Sequence, residues 1–169
     1  MAAPEFSRVV PLARLGWDPF RQEIAASEAE RDGLAQRFDL FSLHRLSASV
    51  ELVRQSPESV LLRASFEAEF VQSCVVTLDP VAGALSQSFT LLYGAPEAEE
   101  LAGAIADDEC AFEPLVADAI DIGEAVAQEF SLALPPFPRS PDASAEAALQ
   151  PQPEGPFAAL SRLVDRDGC

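Results

Sequence analysis

The chain has 169 residues, 49% of them apolar, which is enough to bury one core, so one domain with tails is expected; no run approaches the ~18 consecutive apolar residues of a membrane span. Its formal net charge of −17 is unevenly placed: Met1–Arg63 holds 8 arginines against 9 acids, and Ala64–Pro138 holds 14 acids and no base. A polyanionic middle repels phosphate, which excludes that stretch as a nucleic-acid binder and confines any direct RNA contact to the first third.

Taken in order, Met1-Ala-Ala-Pro-Glu-Phe-Ser-Arg8 lacks a basic region followed by an apolar core and is not read as a signal peptide. Weak alternation from Phe6 to Leu12 predicts a first strand, which Pro11 limits to an edge or an end. Leu15-Gly-Trp-Asp-Pro19 reads as a turn, with Trp17 expected to plug or cover the core. Arg21–Ala25 gives a short second strand. Ser27-Glu-Ala-Glu30 is a capping box that opens a helix running to about Phe38, with Leu34 and Phe38 on its core face and Glu28, Glu30 and Arg37 suited to its dipole.

Leu46, Ala48, Val50 and Leu52 alternate with polar residues and predict a clear strand. Gln55-Ser-Pro-Glu58 turns it back onto Val60–Phe70, where Val60, Leu62, Ala64, Phe66, Ala68 and Phe70 alternate with Arg63, Ser65, Glu67 and Glu69. Gln72-Ser73-Cys74 is a polar break, Val75–Leu78 reads as a short apolar strand, and Asp79-Pro80 forces a turn. A further antiparallel strand follows through Leu85, Gln87, Phe89, Leu91 and Tyr93. His44, the lone histidine, lacks the orienting group and co-ligands of a catalytic or metal site and is assigned to a strand end. The pattern predicts an α+β domain: a meander, open or partly closed into a barrel, with two or three helices.

Ala95–Pro114 is rich in Ala, Glu and Asp, with Glu97, Glu99, Glu100, Asp107, Asp108 and Glu109 clustered in it. It is either a solvated loop or an electrostatic contact for a basic partner. Leu115–Ile120 predicts a last strand, and Asp121-Ile-Gly-Glu124 a second capping box, with Glu124 as the cap partner of a helix ending at Leu134-Pro-Pro136. The division is then an α+β body over 1–138 with an acidic loop at 95–114, a proline-rich linker at 139–156 expected to be disordered, and a short terminal helix and tail at 157–169. In that helix Phe157, Leu160, Leu163 and Val164 share one side, which either packs on the body or binds a partner.

Several stretches together carry a family resemblance: Glu5-Phe-Ser-Arg8 with Val10–Leu15, Val71-Gln-Ser-Cys-Val-Val-Thr-Leu-Asp-Pro80, Ile120-Asp-Ile-Gly-Glu124, and Pro156-Phe-Ala-Ala-Leu160. In that order they resemble the YceD family, in its alphaproteobacterial form, with Gln72, Ser73, Cys74, Asp121, Gly123 and Glu124 as the motif positions. The resemblance implies a large ribosomal RNA subunit accumulation protein, acting in the maturation or stability of 23S rRNA. Many members carry Cys-x-x-Cys where this chain has Cys74-Val-Val-Thr77, so a shared metal or redox role does not transfer. A lone thiol supplies one of the four ligands of a structural zinc, and Cys74 is expected to be a small buried group with no basic neighbour to lower its pKa.

Three function classes follow. The first is a bacterial, non-enzymatic ribosome biogenesis factor whose acidic face contacts a basic ribosomal protein or a pre-50S particle, with Phe157 and Leu160 as further partner-binding residues. The second is an RNA-binding module using Arg8, Arg14, Arg21 and Arg45, together with Arg37, Arg54 and Arg63. The third, a thiol- or metal-dependent enzyme, has the least support, because no His/Cys/Asp constellation or phosphate-cradling glycine loop is present. No catalytic residue, metal, cofactor, membrane or DNA is expected. Three cysteines without metal-type spacing, Cys74, Cys110 and Cys169, point to a reducing cytoplasm.

Overall fold

The computed structural model describes residues 4–95, 110–115 and 118–143. Within them the strong alternations become long strands. β1 (Val9–Pro11) and a 3-10 turn (Leu12–Arg14) precede β2 (Phe20–Ala25), α1 (Glu28–Arg37), β3 (Ser42–Ser56), β4 (Ser59–Ser73) and β5 (Pro80–Gly94). β6 (Cys110–Pro114), β7 (Ala119–Asp121) and α2 (Ile122–Ala133) follow. The main sheet has the order β2-β3-β4-β5-β6; its first four strands form the expected antiparallel meander, and β6 joins β5 in parallel. β1 and β7 pair as a separate antiparallel ribbon.

Register explains the core. Ile24 faces Ala48, Ala48 faces Phe66, Val50 faces Ala64 and Leu52 faces Leu62, so one side of the sheet is continuously apolar and buried. α2 lies on that side and inserts Phe130, whose ring centroid is 5.7 Å from Phe70, 5.9 Å from Phe38 and 6.3 Å from Phe66, all in edge-on contacts. Opposite Phe70 on β5 stands Gly83, where a Cβ would lie 2.7 Å from the Phe70 ring; the aromatic fits because that side chain is missing. The other side of the sheet carries Ser47, Ser49, Ser65, Ser86 and Ser88 among charged residues and faces outward.

α1 buries only Leu34 and Ala35, so its place is fixed by polar bonds more than by area. The capping box forms in both directions, Ser27 accepting from the Glu30 N–H and Glu30 accepting from the Ser27 N–H. Glu30 also takes both ends of the Arg8 guanidinium, at 2.6 and 3.0 Å, which holds its carboxyl down at about 2.

The structure corrects five expectations. The sheet is open, not a barrel: closure would require its edges β2 and β6 to pair, and the inner face is filled by helices. Val75–Leu78 is a turn, not a strand, since the apolar residues there have no neighbouring strand to pair with. Cys110–Pro114, assigned above to an acidic loop, is β6. The last strand is Ala119–Asp121, paired with β1, and not Leu115–Ile120. Trp17 is 69% exposed, because the turn that bears it points outward while Phe20 and Leu15 pack against the core.

Candidate functional site

Six residues, Cys74–Asp79, reverse the chain between β4 and β5. The Cys74 N–H donates to the Asp79 carbonyl at 2.8 Å, and the Leu78 N–H to the Cys74 carbonyl at 3.0 Å. This closure places Leu78 at φ 63°, the left-handed region that a branched aliphatic residue rarely occupies. Asp39, just past the end of α1, has φ 54°. Asp tolerates that conformation after a helix, whereas Leu78 is under strain there.

The turn is bonded to the run Leu134-Pro-Pro-Phe-Pro138 that leaves α2. Prolines offer carbonyls and no N–H, so the end of β4 and the turn supply the donors: Gln72 Nε2 to the Pro135 carbonyl at 3.1 Å and the Val75 N–H to the Pro138 carbonyl at 2.9 Å. Cys74 Sγ accepts from the Thr77 N–H at 3.5 Å and from the Ser140 N–H at 3.4 Å. The thiol is fully buried, as expected. Its acidity is not as expected: hydrogen bonding from Thr77, then from the Ser140 N–H, pushes it down to about 6 without any basic neighbour. Donors that the fold brings from Ser140, 66 residues away, leave no trace in local sequence.

Between the end of α1, the turn and the proline run lies an open groove of about 350 Å³, lined by Phe38, Asp39, Val75, Leu78, Pro135 and Pro138. Large apolar side chains stand exposed at this end of the sheet: Leu78 at 72%, Phe137 at 75%, with Val75 and Phe41. The Phe41 N–H bonds the Val71 carbonyl, which keeps it beside the end of β4. Two other depressions, of about 430 and 400 Å³, share Ser49 and Ser65 on the outward face of the sheet and are floored by hydroxyls. The first is bordered by Glu23 and Glu67, the second by Arg21, Glu51 and Arg63.

The motif residues divide between two places. Gln72, Ser73 and Cys74 line the groove. Asp121, Gly123 and Glu124 instead anchor the N-terminal segment to α2. Asp121 accepts from the N–H groups of Arg8, Gly123 and Glu124 and from the Ser7 hydroxyl, and a Cβ on Gly123 would lie 2.6 Å from the Phe6 carbonyl oxygen. Only the forward half of the expected capping box forms. Glu124 turns away from the cap to take both arms of Arg37, at 2.7 and 2.9 Å, because Asp121 ends a paired strand whose backbone is already engaged with β1.

The arginines proposed for RNA do not gather. Arg8 is committed to Glu30, Arg21 to Glu51, and Arg45 to Glu67 and Glu69, while Arg14 stacks on Phe20. His44 is exposed, at an irregularity of β3 with Ser42 as its neighbour. Glu97, Glu99, Glu100, Asp107, Asp108, Glu109, Phe157 and Leu160 lie outside the described residues. Of the stretch read as linker, Arg139–Ala143 is described, and its Ser140 is bonded to Cys74. Among the described residues no three His, Cys, Asp or Glu side chains come together as a metal site, and no helix is long and apolar enough to cross a membrane. Asp39 and Leu78, which line the groove, were missed from sequence; the one available signal was the apolar run Val75–Leu78 between a polar break and Asp79-Pro80.

No curated protein and no solved structure matches the chain. The family model described as "Large ribosomal RNA subunit accumulation protein YceD" matches residues 62–161, a narrower span than the resemblance from Glu5 onward but more than half of the chain. That span takes in β4, the Cys74 turn, α2 and the proline run, and on it the chain belongs to the YceD family.

Proposed function

We infer that this protein supports accumulation of 23S rRNA as a non-catalytic, cytoplasmic factor in large-subunit assembly, and that its contact is with a basic ribosomal protein or a protein surface of the pre-50S particle. The role in rRNA accumulation follows from the family. The mode of contact rests on one observation, the disposition of charge. The acidic stretch Glu97–Glu109 has no base within it, and of the seven arginines considered for RNA five (Arg8, Arg21, Arg37, Arg45 and Arg63) face carboxylates, Arg14 lies on an aromatic ring and Arg54 bonds the Leu12 and Pro57 carbonyls. Freeing those arginines for phosphate would break bonds the fold uses. An acidic surface favours an Arg- and Lys-rich partner and repels naked RNA.

Sucrose-gradient fractionation of lysate, with and without ribonuclease, combined with binding of the purified protein to naked 23S rRNA fragments across a salt series, tests this reading. Co-migration with large-subunit precursors and no affinity for naked fragments is the expected result. Tight, salt-steep binding to naked RNA would transfer the role to the arginines, and absence from ribosomal fractions would remove the assembly role itself.

A further inference from the structure

The groove beside the Cys74 turn has the features of a docking site. Its apolar lining is left in water: Leu78 is 72% and Val75 47% exposed, although Cys74 at the start of the same turn is fully buried, and Phe137, between the lining residues Pro136 and Pro138, is 75% exposed. Both non-glycine residues with left-handed backbone among the described residues, Asp39 and Leu78, line this groove. Strained backbone that holds an apolar side chain outward, where a hairpin turn needs neither, is a mark of a binding surface.

We propose that the occupant is this chain's own segment Pro156–Val164, docked through Phe157, Leu160 and Val164. The chain leaves the groove on its way to that segment: Pro138 lines the groove, Ser140 is bonded to Cys74, and the described chain ends at Ala143. Thirteen steps separate Ala143 from Pro156, a contour of up to about 45 Å at full extension, so the segment is never out of reach of the groove. Phe157, Leu160 and Val164 follow the i, i+3, i+7 spacing of groove-binding anchors. The family match spans both the Cys74 turn and the first part of the segment, to Ser161.

Hydrogen–deuterium exchange on the full chain, compared with F157A/L160A, tests the assignment using purified protein alone and therefore independently of any ribosomal partner. The amides of 74–79 and of Phe137, Arg139 and Ser140 should exchange faster by about fivefold or more in the variant, with β3 and β4 unchanged and with no dependence on protein concentration. L78S should reciprocally raise exchange across 156–164. Unaltered exchange at the turn would overturn the proposal. An effect that scales with concentration would assign the groove to a second copy, and faster exchange throughout β3 and β4 would make the segment part of the core; either outcome also overturns docking in the groove.

Discussion

The two hairpin turns of the central strands perform the same task with opposite chemistry. The β3–β4 turn uses Ser56, Pro57, Glu58 and Ser59, closes with a 2.7 Å bond between two serine hydroxyls, and exposes nothing large and apolar. The β4–β5 turn is longer, is bonded to a segment over sixty residues away, holds a buried thiol, and puts Val75 and Leu78 into water. Reversing the chain requires only the first kind. What the second adds is an anchor for the proline run and an apolar surface, so one end of the sheet is closed and quiet while the other is built to hold something.

The largest effect should come from emptying the core on which both turns depend for a folded sheet. Phe130 is fully buried against Phe38, Phe66 and Phe70, and F130A should cost about 3–5 kcal/mol, read as a lowered midpoint in urea unfolding. A loss below about 1 kcal/mol would mean that α2 is not seated on the sheet as described.

A second variant distinguishes the two turns directly. C74A leaves the Thr77 and Ser140 N–H groups without their acceptor and should lower the melting temperature by more than S59A at the opposite turn, with C74S in between because a hydroxyl still accepts. The pH dependence has a definite sign. The folded thiol ionises at about 6 and the unfolded one at its ordinary higher value, so the unfolded state binds more protons between the two. The deficit of C74A relative to the native protein should therefore widen as pH rises from about 6 to about 9 and stay constant below about 6. A deficit independent of pH would show that the thiol stays protonated and contributes by packing alone.

The first third of the chain supplies a smaller effect of the same pH sense, in a more acidic window. Glu30 is held down at about 2 by Arg8, so the pair's contribution is complete above the ordinary carboxylate range and is lost as pH falls toward 2. The side chains remain 30% and 19% exposed, and screening reduces the benefit. E30Q should cost about 1–2 kcal/mol at pH 7 and nothing near pH 2. Equal losses at both values would trace the effect to the capping bond to Ser27 instead.

How far these regions could be read from sequence follows the range of the forces that set them. β3, β4, β5 and both helices were legible because a two-residue alternation, a capping box and Pro-Pro are written within a few positions. The groove was not. Val75-Val76-Thr77-Leu78 has strong strand propensity, yet its Val75 N–H donates to the Pro138 carbonyl and its Leu78 N–H to the Cys74 carbonyl, and the first of these contacts exists only after α2 has brought the proline run to the turn. Glu124 misled in the same way: a capping box is a local signal, and Arg37, 87 residues away, outcompeted it. Parallel β6 was hidden for a different reason, since Cys110–Pro114 is short and follows a run of acids whose composition resembles a loop.

The smallest predicted effect is also the one that separates folding from binding at the Cys74 turn. Leu78 sits at φ 63° with 72% of its surface in water, so its side chain contributes little burial while its backbone is strained. Glycine adopts that conformation without the clash of a Cβ, at the expense of more conformational freedom in the unfolded chain. L78G should therefore stabilise the isolated protein slightly, by about 0.5–1 kcal/mol, as a raised denaturation midpoint with unchanged slope. The same change removes the most exposed apolar group of the turn, and protection of 156–164 against exchange should fall with it. A gain in stability together with a loss of docking is the signature of a residue kept for binding despite its cost to the fold. If L78G destabilised the protein instead, Leu78 would be part of the packing, and the contrast between the two turns would reduce to one of length.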